Sequence, residues 1–372
     1  MSNQFLKLYY GNRGDFLVHD TFIAANTYKG FFSYFDELIY GSENTEVYLI
    51  KGGPGCGKST FMKSIAKAAA EKGCNVEQIF CSSDKDSLDG VVLRDTGKVI
   101  IDATPPHSFD MKYPGVNQNI IDFSQFWNKS ELKADKTQII ELFNEISERY
   151  KTVYGLLKIA GYIQIKMSAT LEQRTNIDKV TEYIKKLIKQ NAIVSIESNP
   201  EIKNRMLSCF SGDGVITLSE TTDKLCDEII VFEDSADIAH ILLNRLASIL
   251  TKLGYDTLRI HNPLIPESRL EQVLVPQLRL GFVATKHIFS PDIQSEKIIK
   301  KINTKSFTDK EYYSQNKNKF AFLKKSEKEF IDRACNEIKQ IKELHDRLES
   351  FYIKAMDYNK LNEFTTQFIN KY

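Results

Sequence analysis

One stretch constrains this chain more than any other: Val47-Tyr48-Leu49-Ile50-Lys51-Gly52-Gly53-Pro54-Gly55-Cys56-Gly57-Lys58-Ser59-Thr60. Gly52, Gly57, Lys58 and Ser59 meet the spacing G-x-x-x-x-G-K-[ST] of a phosphate-binding loop. Glycines let the backbone curl into a concavity whose N–H groups point at phosphate oxygens, with no Cβ in the way. Lys58 is a compact charge able to reach the β- and γ-phosphates, and the Ser59 hydroxyl is a hard ligand for Mg²⁺.

The flanks agree with the motif. Val47–Ile50 is an apolar, partly β-branched run that reads as a buried strand. Phe61 to Lys72 is rich in helix formers, with Met62, Ile65, Ala66 and Ala69 on one face and Gly73 at the stop. The loop therefore opens a helix, where backbone donors and the helix dipole favour an anion. The expected ligand is ATP, cradled by Gly52, Gly53, Pro54, Gly55, Cys56, Gly57, Lys58, Ser59 and Thr60. GTP is disfavoured because Asn359-Lys360-Leu361-Asn362 and Asn316-Lys317-Asn318-Lys319 lack the acid of a guanine-reading Asn-Lys-x-Asp strand end.

Phosphoryl transfer needs a placed Mg²⁺, charge stabilisation and an oriented nucleophile. Asp102 ends the apolar run Lys98–Ile101 and is the expected partner of Ser59 at the metal. Ala103 follows it, so no adjacent glutamate is present to polarise water. Asp84, Asp86 and Asp89 are expected in a polar loop beyond a second strand, Asn75–Cys81, with Asp89 as a candidate to orient water or a substrate hydroxyl. His107 and Asp110 follow Pro105-Pro106, and His107 is a candidate γ-phosphate sensor or base. Lys58, Asp102, Asp89 and His107 thus form the expected catalytic set. Arg94, or Arg205, Arg245 or Arg279 from the far half, is a candidate transition-state finger.

At 372 residues the chain is long enough for two domains, and a formal net charge of +1 gives no global pull toward nucleic acid or membrane. Nucleic acid is not an expected partner, and the lysine-rich helices read as solvated faces. The six cysteines form no C-x-x-C pair, which favours reduced thiols over a disulfide frame or zinc site. Neither a signal peptide nor a membrane-spanning run is visible, so a cytoplasmic protein is expected.

An internal repeat sets the organisation. A shift of about 181 positions lays Tyr48-Leu49-Ile50 on Ile229-Ile230-Val231, Gly73 on Gly254 and Ala103-Thr104 on Ala284-Thr285. Phe22–Gly30 lies on Met206–Gly214 with a small gap. Where the first copy has Gly52 to Ser59, the second has Glu233-Asp234-Ser235-Ala236-Asp237-Ile238-Ala239-His240, without the glycines or the lysine. Each copy runs into a helical tract. Ile139, Leu142, Ile146, Val153 and Leu157 form one seam, and Ala334, Ile338, Ile341, Leu344 and Leu348 another. The expected fold is α/β: two tandem phosphate-loop NTPase-like parallel-sheet domains, 1–195 and 196–372, each with a helical insertion or extension. The second loop is expected to be degenerate.

Tyr48–Thr60, Ser87-Leu88-Asp89, Val99-Ile100-Ile101-Asp102-Ala103-Thr104-Pro105-Pro106-His107 and Asp110–Gly115 resemble an uncharacterised bacterial group of tandem phosphate-loop ATPases. That resemblance implies ATP binding and hydrolysis. In the group the second half often retains its loop; here it does not. The expected function is Mg²⁺-dependent ATP binding and hydrolysis that moves the two halves, or a protein partner. The alternatives are a small-molecule or nucleotide kinase and an ATP-gated adaptor without turnover.

Overall fold

The computed structural model describes residues 18–41, 44–105, 109–191 and 193–371. The first half runs β1 (Val18–Thr21), β2 (Ala24–Thr27), β3 (Gly30–Ser33), α1 (Phe35–Tyr40), β4 (Glu46–Lys51), α2 (Lys58–Glu71), β5 (Val76–Phe80), β6 (Leu88–Leu93), β7 (Lys98–Asp102) and β8 (Gln118–Asp122). Three helices follow: α3 (Lys129–Ala134), α4 (Lys136–Glu172) and α5 (Ile177–Gln190). The second half repeats this series as β9 (Ile202–Arg205), β10 (Ser208–Ser211), β11 (Gly214–Thr217), α6 (Ser219–Leu225), β12 (Glu228–Glu233), α7 (Ala239–Lys252), β13 (Thr257–His261), β14 (Leu270–Val275), β15 (Leu280–Thr285) and β16 (Ile298–Asn303). It ends in α8 (Lys310–Gln315), α9 (Lys317–Ala355) and α10 (Tyr358–Lys371).

The two six-stranded sheets have the same order, β1-β5-β6-β7-β4-β8 and β9-β13-β14-β15-β12-β16. In each, one strand alone runs against the rest, β6 in the first and β14 in the second. The expectation of two tandem α/β units is met, with the sheets mostly rather than wholly parallel. β4 is apolar because it is buried between β7 and β8, with helices over the sheet.

The helical tracts cross over. Val180, Ile184 and Leu187 of α5 share a core with Ile230 and Phe232 of β12 and Leu242 and Leu246 of α7. Reciprocally, Leu361, Phe364 and Phe368 of α10 pack against Tyr48 and Ile50 of β4 and Phe61, Met62 and Ile65 of α2. Each half's last helix thus covers the other half's sheet. Between them α4 and α9 lie antiparallel: Ile139 and Leu142 near the start of α4 meet Leu344 and Leu348 near the end of α9. Val153, Leu157 and Ala160 meet Ile331, Ala334 and Ile338 at mid-length. At 37 and 39 residues the pair spans roughly 55 Å, at about 1.5 Å per residue. The two seams seen in the sequence close on each other.

The halves are also stitched through a buried ion cluster. Glu77 on β5 accepts from Arg205 Nε on β9 at 2.5 Å, from Arg94 at 2.6 Å and from the Thr21 hydroxyl at 2.8 Å. Glu77 is fully buried, and against that desolvation Arg205 and Arg94 hold its carboxyl well below the usual carboxylate range. Among the described residues no helix is long and apolar enough to cross a membrane.

Candidate functional site

β4 ends at Lys51 and α2 begins at Lys58, so residues 52–57 form the strand-to-helix turn. Gly55 and Gly57 hold φ of 64° and 83°, the left-handed region where a Cβ is penalised. The residue capping α2 is Gly57, whose lack of a side chain leaves the first-turn N–H groups uncapped from within the turn. Lys58 Nζ donates to Gly53 O at 2.6 Å and lies 3.5 Å from Asp102 Oδ2. The parallel β4–β7 pairing sets this meeting by placing Ile50 opposite Asp102. Asp102 Oδ1 accepts from the Thr104 N–H at 2.9 Å and from the Thr104 hydroxyl, which fixes the carboxylate. Ser59 Oγ accepts from the Leu88 N–H at 3.0 Å. Cys56 is buried and its thiol donates to Gly53 O; burial pushes the thiol up against the pull of Lys58, so it stays protonated.

Other expected residues have different surroundings from those the sequence suggests. Asp89 is not in a polar loop. It belongs to β6, a fully buried strand between β5 and β7, and is itself 5% exposed. Asp84 pairs with Lys342 at 3.2 Å and accepts from the Asp86 N–H, so these two acids shape the 82–87 loop. Arg94 and Arg205 are committed to Glu77 and Arg279 to Asp227 at 2.5 Å, which removes three of the four candidate fingers from the loop. Arg245 lies on α7 and lines a cavity of about 610 Å³ between α7 and the α4 and α5 helices of the first half. His107 lies outside the described residues.

Three residues at the loop had no local signal in the sequence. Glu349 Oε1 accepts from the Gly55 N–H at 3.2 Å, and the Tyr358 hydroxyl donates to Gly55 O at 2.9 Å. A Cβ on Gly53 would stand 2.5 Å from the Tyr352 ring. All three come from the end of α9 and the start of α10, in the far half of the chain.

The second copy is built differently at the corresponding turn. Asp234 accepts from the Ile238 and Ala239 N–H groups at 2.9 and 3.0 Å. These are the positions of Gly57 and Lys58 in the first copy, so a carboxylate of the loop itself fills the anion seat at the start of α7. Asp237, at φ 55°, is clamped by Arg269 at 2.6 Å and by the Ser168 hydroxyl at 2.6 Å. His240, which takes the place of Ser59, is buried against Glu172 at 2.8 Å, and this bond holds the Glu172 carboxyl below its ordinary range.

The sequence model of the family described as Nephrocystin 3, N-terminal matches residues 31–106, a stretch holding the β4–loop–α2 unit and Asp102. No curated protein and no solved structure matches the chain.

Proposed function

We propose that this chain binds Mg²⁺·ATP at the loop 52–60 and hydrolyses it, and that turnover moves the two interlocked halves or a protein bound to them. The observation that carries this reading is Lys58 Nζ standing 3.5 Å from Asp102 at a glycine turn that opens α2. Gly55, Gly57 and the first-turn N–H groups supply a positive, pre-formed seat for phosphate oxygens. Lys58, released from Gly53 O, would follow the γ-phosphate. The Ser59 hydroxyl and the Asp102 carboxylate are hard oxygen donors that fit Mg²⁺, and the cation would supply neutralisation of phosphate charge. Thr104 holds Asp102 facing the loop. The resemblance of Tyr48–Thr60 and Val99–Thr104 to tandem phosphate-loop ATPases supports the same reading, with one working seat instead of two.

A second reading, tight ATP binding without turnover, draws on Ala103. It is fully buried beside Asp102 and offers no acid to polarise water. Measurement of steady-state phosphate release by the full chain, with and without hydroxyl acceptors, separates the cases. Release without acceptor supports hydrolysis, acceptor-dependent ADP formation supports a kinase, and stoichiometric binding alone supports an adaptor.

A further inference from the structure

We propose that Glu349 is a built-in anion that occupies the phosphate seat of the ligand-free chain, and that a nucleoside triphosphate enters by displacing it together with the α9–α10 elbow. This inference rests on the reading of 52–60 as a triphosphate seat.

The elbow lies against three glycines of the loop. Beside the Glu349 carboxylate on the Gly55 N–H, a Cβ on Gly55 would meet Glu349 O and Cβ at 2.9 and 3.0 Å, and one on Gly57 would meet Leu361 at 2.8 Å. The Tyr352 ring fills the space at Gly53, and Tyr358 binds Gly55 O. The glycines therefore admit the elbow as closely as they would admit phosphates. A polyanion seated on the Gly55 N–H meets Glu349 at like-charge distance, so the two exclude each other.

The second half supplies an internal comparison. There Asp234 fills the equivalent seat, but it belongs to the loop and cannot leave. Ser168, which a shift of 181 positions places on Glu349, is tied to Asp237 inside a buried clamp with Arg269. In the first half the carboxylate arrives from a helix end. Its side chain is 33% exposed, with His345 at 3.4 Å and an Asp346 carboxylate oxygen within 4.8 Å. One seat is closed permanently and the other by a removable plug.

The chain carries its own reporter. Its single tryptophan, Trp127, packs edge-on against Tyr352 at 5.5 Å between ring centroids. The flanking backbone holds the elbow, with Asn128 N–H on Ala355 O at 2.8 Å and Asp357 N–H on Phe126 O at 2.9 Å. Displacement of the elbow changes the surroundings of that indole.

The test is titration of the full chain with Mg²⁺ and a non-hydrolysable ATP analogue, followed by calorimetry and by Trp127 emission. The expected result is a saturable emission change in the unmodified protein, with Glu349→Gln binding about tenfold tighter because a charge-assisted hydrogen bond no longer competes. Calorimetric binding with silent Trp127 emission and equal affinity for Glu349→Gln overturns the inference. In a parallel assay with ATP itself, loss of phosphate release in Glu349→Gln at unchanged affinity for the analogue also overturns it, making Glu349 a water-orienting group. Absence of calorimetric binding in both proteins removes the triphosphate reading itself, and this inference with it. The emission arm uses the unmodified chain and so does not depend on how the variant folds.

Discussion

Phe22 and Met206 exchange two backbone hydrogen bonds, each 2.8 Å long, and they hold equivalent places directly after β1 and β9. A residue bonded reciprocally to its own repeat equivalent is the mark of a two-fold interface, here built inside one chain. The same symmetry relates Trp127 with Met356 to Thr308 with Thr175, pairs that bridge each tract to the opposite half. Duplication has thus produced an internal dimer with exchanged helices, and one half keeps the glycine turn between its β4 strand and α2 helix.

The exchange makes α10 part of the first half's core. Leu361→Ala is expected to destabilise the chain by about 2–5 kcal/mol, as for other buried leucines. Phe322→Ala, at a position 67% exposed, is expected to stay within about 0.5 kcal/mol. Urea unfolding of both variants checks this, and equal effects would contradict the exchanged packing.

Lys58→Ala is expected to weaken binding of an ATP analogue by at least about a hundredfold, the scale of a lost charge in a phosphate seat. His240→Ala should leave it unchanged, because the α7 seat is already filled by Asp234. Isothermal titration of the two variants decides it; parallel losses would mean a second working site.

Asp234→Ala leaves the Ile238 and Ala239 N–H groups buried without their acceptor. A loss of about 1–3 kcal/mol in unfolding free energy is expected, with no second ATP equivalent gained, since no lysine stands at position 239. Thermal melts with a binding stoichiometry measure both.

Arg205→Ala leaves the fully buried Glu77 with Arg94 as its ion-pair partner among the described residues. The expected cost is about 3–5 kcal/mol, and adding Glu77→Gln should recover much of it, because the penalty is the uncompensated charge rather than the lost pair. A double-mutant cycle by denaturant unfolding reads the recovery directly.

Burial raises the Glu327 carboxyl from 4.5 to about 8, helped by Asp237 and opposed by Arg269. The folded chain therefore keeps a proton that the unfolded chain releases. This contribution is fully present below the unfolded value, drains away as pH rises toward 8 and is constant above it. Compared with Glu327→Gln, the unmodified protein should lose melting temperature steadily from about pH 5 to pH 8. Melts of both proteins across that range test it, and a gap independent of pH would refute it.

Some of this architecture was readable locally. The β4–loop–α2 unit and β7 with Asp102 follow from apolar runs, glycine placement and helix formers within a few residues of each other. β6 was not readable, because Asp89-Gly90 beside Ser87 looks like a turn. Leu88–Leu93 is a strand only because β5 and β7 bury it on both edges. Burial likewise took Arg94 and Arg205 out of the site, and no spacing rule connects either to Glu77.

By itself the sequence determined the glycine turn that joins β4 to α2, the repeat that copies its sheet, the loss of glycines and lysine in the second copy, and two apolar seams that demanded cover. An apolar stripe states that a helix must be buried, not by which neighbour. Only the tertiary structure decided that each half's last helix crosses to the other half, and that this crossing sets Glu349 on Gly55, 294 positions away in the chain. Such contacts arise from the packing of whole faces around a two-fold axis.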